Sequence, residues 1–303
     1  MRTLPARRLR GARVCASLLC VIAAVLVVGR PACAEEDGAF GEIETQYIFG
    51  FTEGSGVGLE GEKEVSAETI AALGKRAGRF FGAETKLEFE QTPSQFVELE
   101  FGALLSSHAI ANVPGLDDRH AVGFGGLFGE LRYLLVERSA SSPISVTFSA
   151  EPVWRRIDET SGEHVTNFEF ETRLAADYEL VEKRVFLALN ALYEPETTRT
   201  PEGSWEKEAT LGVSTAIAFR LAPSVLMGGE LWYLRHYDTL GLGAFTGDAV
   251  YFGPTLYLQL SRKAFLTAAW NVQVAGREVG EPGSLDLADF SRHRAKLKLA
   301  VEF

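Results

Sequence analysis

The sequence predicts an all-β chain that forms a single transmembrane antiparallel up-and-down β-barrel of about 12 strands. Three observations lead to this fold: apolar and polar residues alternate with a period of two along most of the chain, the alternating segments are long, and their connections are alternately short and long. Successive side chains of a strand point to opposite faces, so each segment has one apolar and one polar face. A soluble β-sandwich gives the same local pattern, but strand length and loop asymmetry favour a barrel.

The amino-terminal segment predicts export. A basic stretch within residues 2–13 has no acidic residue, residues 14–28 carry no charge, and small residues follow at 32–34. This is the layout of a secretory signal peptide that is removed after export. We therefore predict a cleaved signal peptide over residues 1–34 and a barrel over residues 35–303.

All three cysteines, Cys15, Cys20 and Cys33, lie in the predicted signal peptide. The rest of the chain has no thiol, which excludes disulfides and thiolate chemistry, and we predict neither a cofactor nor a bound metal. Cys33 leaves a lipoprotein signal as an alternative. Arg30 and Pro31 argue against it, because they stand where small or aliphatic residues would be needed.

The charge balance excludes some partners. Six of the 30 basic residues and none of the 41 acidic residues lie in residues 1–34, so the remainder has 24 basic and 41 acidic residues and a net charge of −17. An acidic chain without a basic patch is not expected to bind nucleic acid. After the signal, the longest uncharged stretch, 101–116, is broken by polar residues and falls short of the roughly 18 to 20 apolar residues of a spanning helix. In a membrane, such a chain can satisfy its backbone only as a closed barrel.

The predicted strands mostly have 10 to 15 residues, whereas globular strands usually have about 5 or 6 and tilted membrane strands need roughly 9 to 11. Ten or fourteen strands remain open, since predicted boundaries err by a few residues. Short turns on one side and longer loops on the other are typical of bacterial barrels. The strands are predicted at 41–51, 81–91, 95–106, 121–135, 144–156, 166–178, 185–194, 205–219, 225–235, 249–260, 264–275 and 292–303.

The first long connection, 52–80, contains a predicted short helix at Ser66–Lys75. Ala67, Ile70 and Leu73 recur at helical spacing, Ser66 is suited to cap the first turn, and the following Gly74 is suited to end the helix. We expect this helix either to fold into the barrel mouth or to lie outside it.

The last strand carries a resemblance to a known class. Four of its residues share one apolar face: Leu297, Leu299, Val301 and Phe303. A terminal aromatic residue after alternating apolar positions resembles the assembly signal of Gram-negative outer-membrane β-barrel proteins. The resemblance implies recognition by the barrel-assembly machinery and a location in the cell outer membrane, among lipid and lipopolysaccharide. Segments 228–234 and 252–258 are loosely similar to putative transporter barrels associated with aromatic-compound degradation, without a matched functional residue.

The polar faces of the strands predict the lumen, with an excess of acid. Lys296 and Lys298 are predicted to neighbour Glu44 on the first strand, where opposite charges would stabilise closure. A hairpin centred on Pro93 would place Lys86 opposite Glu100 and Glu88 opposite Glu98. The predicted pore-lining residues are Glu44, Glu84, Lys86, Glu88, Glu98, Glu100, Glu169, Glu171, Arg173, Glu230, Lys296 and Lys298.

These features favour a channel or transporter for small solutes with a net acidic lumen. The alternatives are a non-conducting structural barrel and a hydrolase at the external rim, where Asp118 lies near His120, and Asp238 near His236. We assign no catalytic residue, because proximity in sequence is not catalytic geometry. The solute, the oligomeric state and the openness of the lumen are left undetermined.

Overall fold

The computed structural model describes residues 44–139 and 142–303. The predicted signal peptide lies outside the described residues and stays a prediction. The described residues form twelve strands: β1 (Lys63–Leu73), β2 (Phe81–Ser94), β3 (Val97–Ile110), β4 (Arg119–Val136), β5 (Ile144–Ile157), β6 (His164–Val181), β7 (Val185–Arg199), β8 (Trp205–Ala222), β9 (Val225–Tyr237), β10 (Phe245–Ser261), β11 (Ala264–Glu278) and β12 (His293–Glu302).

Each strand pairs antiparallel with its neighbours in sequence, and β1 pairs with β12 to close the barrel. The predicted fold class and strand number are confirmed. Lipid offers no hydrogen-bond partners to the backbone groups of a free strand edge. A barrel in a membrane must therefore be closed, so that no edge is left unpaired. No helix in the described part of the chain is long and apolar enough to span a membrane.

The predicted first strand is wrong. The described part of 41–51 forms turns rather than a strand, and β1 occupies the segment where a helix was predicted at Ser66–Lys75. This segment forms a strand because β2 and β12 would each be left with an unpaired edge without it. A helix could not pair with those edges. Glu64, Ser66 and Glu68 alternate with the apolar Val65 and Ala67, so this segment also carries the two-residue period.

The asymmetry of the connections is confirmed. Five turns of 2 to 7 residues lie at one end of the barrel, here the short-turn end, and six loops of 5 to 14 residues lie at the other, the long-loop end. The β2–β3 register differs from the prediction, however: Glu90 faces Glu100, and Glu88 faces Gly102. The hairpin turns at Gln95–Phe96, because a bulge around Pro93 keeps that residue within β2.

The outer surface of the barrel is an apolar band. Phe101, Leu189 and Phe252 are each more than half exposed, on strands β3, β7 and β10. Large exposed apolar surfaces of this kind are rare on soluble monomers and are covered by lipid in transmembrane barrels. The outward faces of the strands therefore match the hydrocarbon layer of a membrane.

The inward faces form two different walls. Strands β12 and β1–β6 present charged side chains, which we call the charged wall. Strands β7–β11 present mainly apolar side chains, which we call the apolar wall: Phe186, Ala188, Leu192, Ala216, Ala218, Leu226, Trp232, Leu234, Ala249, Tyr251, Tyr257, Phe265 and Ala269. This division places an amphipathic space at the centre of the barrel.

Candidate functional site

A segment of the chain itself fills the space between the two walls. Residues 44–58, here called the plug segment, lie before β1 and are largely buried inside the barrel. Tyr47, Ile48 and Phe49 pack against the apolar wall in one cluster, and Phe51 packs against it in a second. The alternating residues that predict a strand here therefore fill the lumen instead, where their aromatic side chains pack against the apolar wall.

The plug segment folds back on itself. Gly50 adopts a φ of 93°, and a Cβ added there would lie 2.8 Å from the Cβ of Ala269, so both backbone conformation and space require glycine. The two arms meet where the Gly54 amide donates to the Gln46 carbonyl, 3.1 Å away. A Cβ at Gly54 would lie 2.1 Å from the Thr45 carbonyl oxygen, so this close approach also depends on glycine.

Both arms of the plug segment lead to the short-turn end. Thr45 donates to Asp177 near the end of β6, and the Gly58 amide donates to Glu98 near the start of β3, 2.9 Å away. The tip reaches the middle of β9, where the Thr52 amide donates to Glu230 at 2.7 Å. The segment is thus a re-entrant loop inserted from the short-turn end.

An acidic residue of the plug segment joins it to the charged wall. Glu53 pairs with Arg132 on β4, which is 1% exposed, and with Arg173 on β6. Burial by itself would raise the pKa of Glu53, but the two guanidinium groups outweigh it and lower the pKa to about 2. Glu53 is therefore ionised at neutral pH and neutralises cations that would otherwise be buried without this partner.

Eleven of the twelve predicted pore-lining residues lie on inward faces of the strands, and Glu44 lies in the plug segment instead. Several take part in ion pairs: Lys86 with Glu151 at 2.7 Å, Lys298 with Glu88 at 2.8 Å, and Lys296 with Glu68 at 2.8 Å. Glu84 and Glu169 both pair with Arg155, and Arg173 pairs with Glu171. Their role in lining a conducting pore stays a prediction.

The predicted contact between the first and last strands names the wrong acidic residue. Glu44 does not sit on the first strand; Glu68 of β1 lies opposite Lys298 in the register with β12 and pairs with Lys296. The misplaced first strand explains the error, since β1 begins only at Lys63. Arg132, Arg155 and Asp177, which hold the interior together, were not singled out, although each sits on an inward position of an alternating segment.

The predicted group around His236 at the rim is arranged differently. His236 contacts Glu208, Thr246 and Asp289 rather than Asp238. Thr246 and Asp289 both lie at Nδ1 of His236, at 3.0 and 3.6 Å. A hydrolytic triad needs its nucleophile and its carboxylate at different ring nitrogens, so His236, Thr246 and Asp289 do not form one. Asp118 accepts a hydrogen bond from the Asn112 amide and stabilises its loop.

The chain is similar to several solved structures. The COG4313 outer membrane channel from Pseudomonas putida F1 is 11% identical with a TM-score of 0.54, over 82% of this chain and 97% of that chain. The translocator domain of the autotransporter NalP from Neisseria meningitidis is 9% identical (TM-score 0.48, 82% and 90% covered), and the NanC porin is 7% identical (TM-score 0.47, 79% and 98% covered). The predicted resemblance to outer-membrane barrels is confirmed at the level of fold.

No curated protein matches this chain in sequence. A family model does match, over residues 42–303, which include the plug segment and all twelve strands. The family is described as one of unknown function. The chain belongs to this family, DUF6662.

Proposed function

We propose that the chain forms a passage for small solutes across the outer membrane and that the plug segment closes this passage in the state described. The observation that carries the proposal is that the lumen is filled by a re-entrant segment, which is continuous with β1 along the chain and is held against the inner wall by non-covalent side-chain and backbone contacts. A barrel of about eight strands is filled by its own side chains, and the interior widens with strand number. Withdrawal of the plug segment from twelve strands would therefore leave a water-accessible space.

The walls favour small cationic or amphipathic solutes. The inward faces of β1–β7 carry more carboxylates than basic groups, and Glu194 on β7 has no lysine or arginine nitrogen within 4.0 Å among the described residues. An acidic lumen bounded by a low-dielectric wall concentrates cations. The apolar wall would be exposed to the passage together with these charges once Tyr47, Phe49 and Phe51 leave it.

The surroundings of the barrel fit the same proposal. The exposed side chains of Arg156 and Lys207, near the long-loop end of β5 and β8, would face the phosphates of lipopolysaccharide. Leu297, Leu299 and Val301 lie on the outer face of β12, where the assembly machinery would read the last strand together with Phe303. We include both contacts in the proposal.

The experiment that tests the passage is planar-bilayer recording of the refolded full chain. We expect discrete current steps of low open probability, because the plug segment is buried and held by several polar contacts. Steps that grow more frequent when the Glu53 contacts are removed would support a movable plug. Absence of steps in both the unaltered chain and the Glu53→Gln variant would instead favour a non-conducting structural barrel.

A further inference from the structure

Three side chains that can bind a metal meet inside the barrel, above the plug segment. Glu196 on β7 lies directly opposite Glu208 on β8, and His236 on β9 lies beside them on the same inward face. One ligand atom from each residue lies within 4.8 Å of the other two. The three residues lie near the long-loop end, away from the plug tip at Glu230.

The two carboxylates lack the lysine or arginine partner that other inward carboxylates have, and their basic neighbour is the His236 imidazole, 3.5 Å from Glu208. Glu88 pairs with Lys298 and Glu169 pairs with Arg155. Within residues 44–139 and 142–303, by contrast, no lysine or arginine nitrogen lies within 4.0 Å of Glu196 or Glu208. Like charges directly opposite on paired strands are destabilising, so this position calls for a cation.

The imidazole ring of His236 is oriented so that its Nε2 could bind a cation beside the two carboxylates. Its Nδ1 faces the Thr246 hydroxyl at 3.0 Å and the Asp289 carboxylate at 3.6 Å, and the Thr246 hydroxyl donates to Asp289 at 2.9 Å. Its Nε2 points towards Glu208, 3.5 Å from the carboxylate oxygen. A carboxylate at the second ring nitrogen is the usual companion of a metal-bound imidazole, since it fixes the ring orientation.

A buried amide borders the same cluster. Asn167 on β6 is 4% exposed, and its Nδ2 donates to Glu196 at 2.7 Å. Its Oδ1 has no hydrogen-bond partner in the part of the chain that the structure describes. A buried amide oxygen without a partner is costly unless a further group satisfies it, and an ion-bound water beside Glu196 would be such a group.

We propose that Glu196, Glu208 and His236 bind a divalent transition-metal ion of the Zn²⁺ type. One imidazole nitrogen and two carboxylate oxygens are ligands that Zn²⁺ accepts, with water able to take a fourth position. The absence of cysteine after residue 33, on which the prediction of no metal rests, excludes only thiolate ligands. The site goes beyond the proposed passage and does not depend on conduction.

The test is a Zn²⁺ titration of the refolded full chain in detergent at pH 7.5, followed by calorimetry and by competition with a chromophoric chelator. We expect one saturable ion per chain. Glu208→Gln and His236→Ala should each weaken binding at least tenfold, and Asp289→Asn should weaken it about 10- to 100-fold, as loss of a supporting carboxylate does. His164→Ala, an exposed histidine at the same end of the barrel, is the matched control and should bind as the unaltered chain does.

Heat-modifiable gel mobility would first show that every variant is folded. The proposal is overturned if no saturable binding occurs, which would leave His236 as an ordinary ion-pair partner of Glu208 and Asp289. Unchanged affinity in both Glu208→Gln and His236→Ala would also overturn it, since the ion would then bind elsewhere. Because the readout is binding in detergent, a barrel that carries no current leaves this test intact.

Discussion

Replacement of Glu53 by Gln should release the plug segment while leaving the barrel folded. Gln keeps the size of the side chain but removes the charge that pairs with Arg132 and Arg173. Removal of one partner from a buried ion pair costs about 3 to 5 kcal/mol. Arg132 keeps Glu98 at 3.4 Å and Glu130 at 3.6 Å, so the lower end of that range applies.

The pKa of Glu53 leads to a similar value for the free energy that its ion pairs contribute. A shift from 4.5 to about 2 corresponds to about 3 kcal/mol of preferential stabilisation of the ionised form. A change of about 3 kcal/mol alters the ratio of displaced to seated plug segments about 100-fold. The open probability of the variant in planar bilayers should rise above that of the unaltered chain by up to the same factor.

The matched control is Glu60→Gln, an exposed acidic residue just beyond the plug segment. This variant should conduct as the unaltered chain does, and both variants should keep heat-modifiable migration on gels. An open probability of Glu53→Gln equal to that of Glu60→Gln would refute the reasoning, because the ion pairs would then not hold the plug segment in place.

Three further results are expected. Phe49→Ala should also raise the open probability, because truncation of this fully buried ring removes about 3 to 5 kcal/mol of packing from the seated plug; an unchanged current would show that the ring does not hold the segment. The folded-state pKa of Glu53 is depressed, so the stabilisation of the seated plug segment by Glu53 is fully present above about pH 4.5 and is lost as the pH falls towards 2. The open probability in bilayer recordings should therefore rise only within this window. A rise between pH 7 and 5 would contradict the role of Glu53 in holding the plug segment. Glu194→Gln should shift the reversal potential in a salt gradient towards anions, since this inward carboxylate has no close basic partner among the described residues; an unchanged potential would place Glu194 outside the ion path.

The barrel could be predicted from the sequence because its pattern is local. Each of β2–β12 overlaps a predicted strand, since alternation along one strand is visible without knowledge of its neighbours. The first strand could not be placed in this way, because Tyr47, Phe49 and Phe51 alternate as they would in a strand. Only the presence of an apolar wall inside the barrel decides that they fill the lumen instead.

The contacts of the interior were less predictable, because they join residues that are distant in sequence. Arg132 and Glu53 are 79 residues apart, and their pairing depends on where the plug segment enters the barrel. The cluster of Glu196, Glu208 and His236 was missed for a different reason. The predicted seventh strand ends at residue 194, whereas β7 continues to Arg199, so the prediction leaves Glu196 outside the strand.

The most direct test of a movable plug is a reversible tether between the plug segment and the wall. The Thr52 and Ser214 hydroxyls are 3.0 Å apart, so Thr52→Cys with Ser214→Cys places two sulfurs within reach of a bond of about 2.05 Å. No cysteine of the unaltered chain follows residue 33, so no other disulfide could form between residues 34 and 303. We expect the oxidised double variant to show no current steps and the reduced form to recover those of the unaltered chain, with each single variant insensitive to reductant. Equal conduction by the oxidised and reduced forms would show that ions pass without displacement of the plug segment.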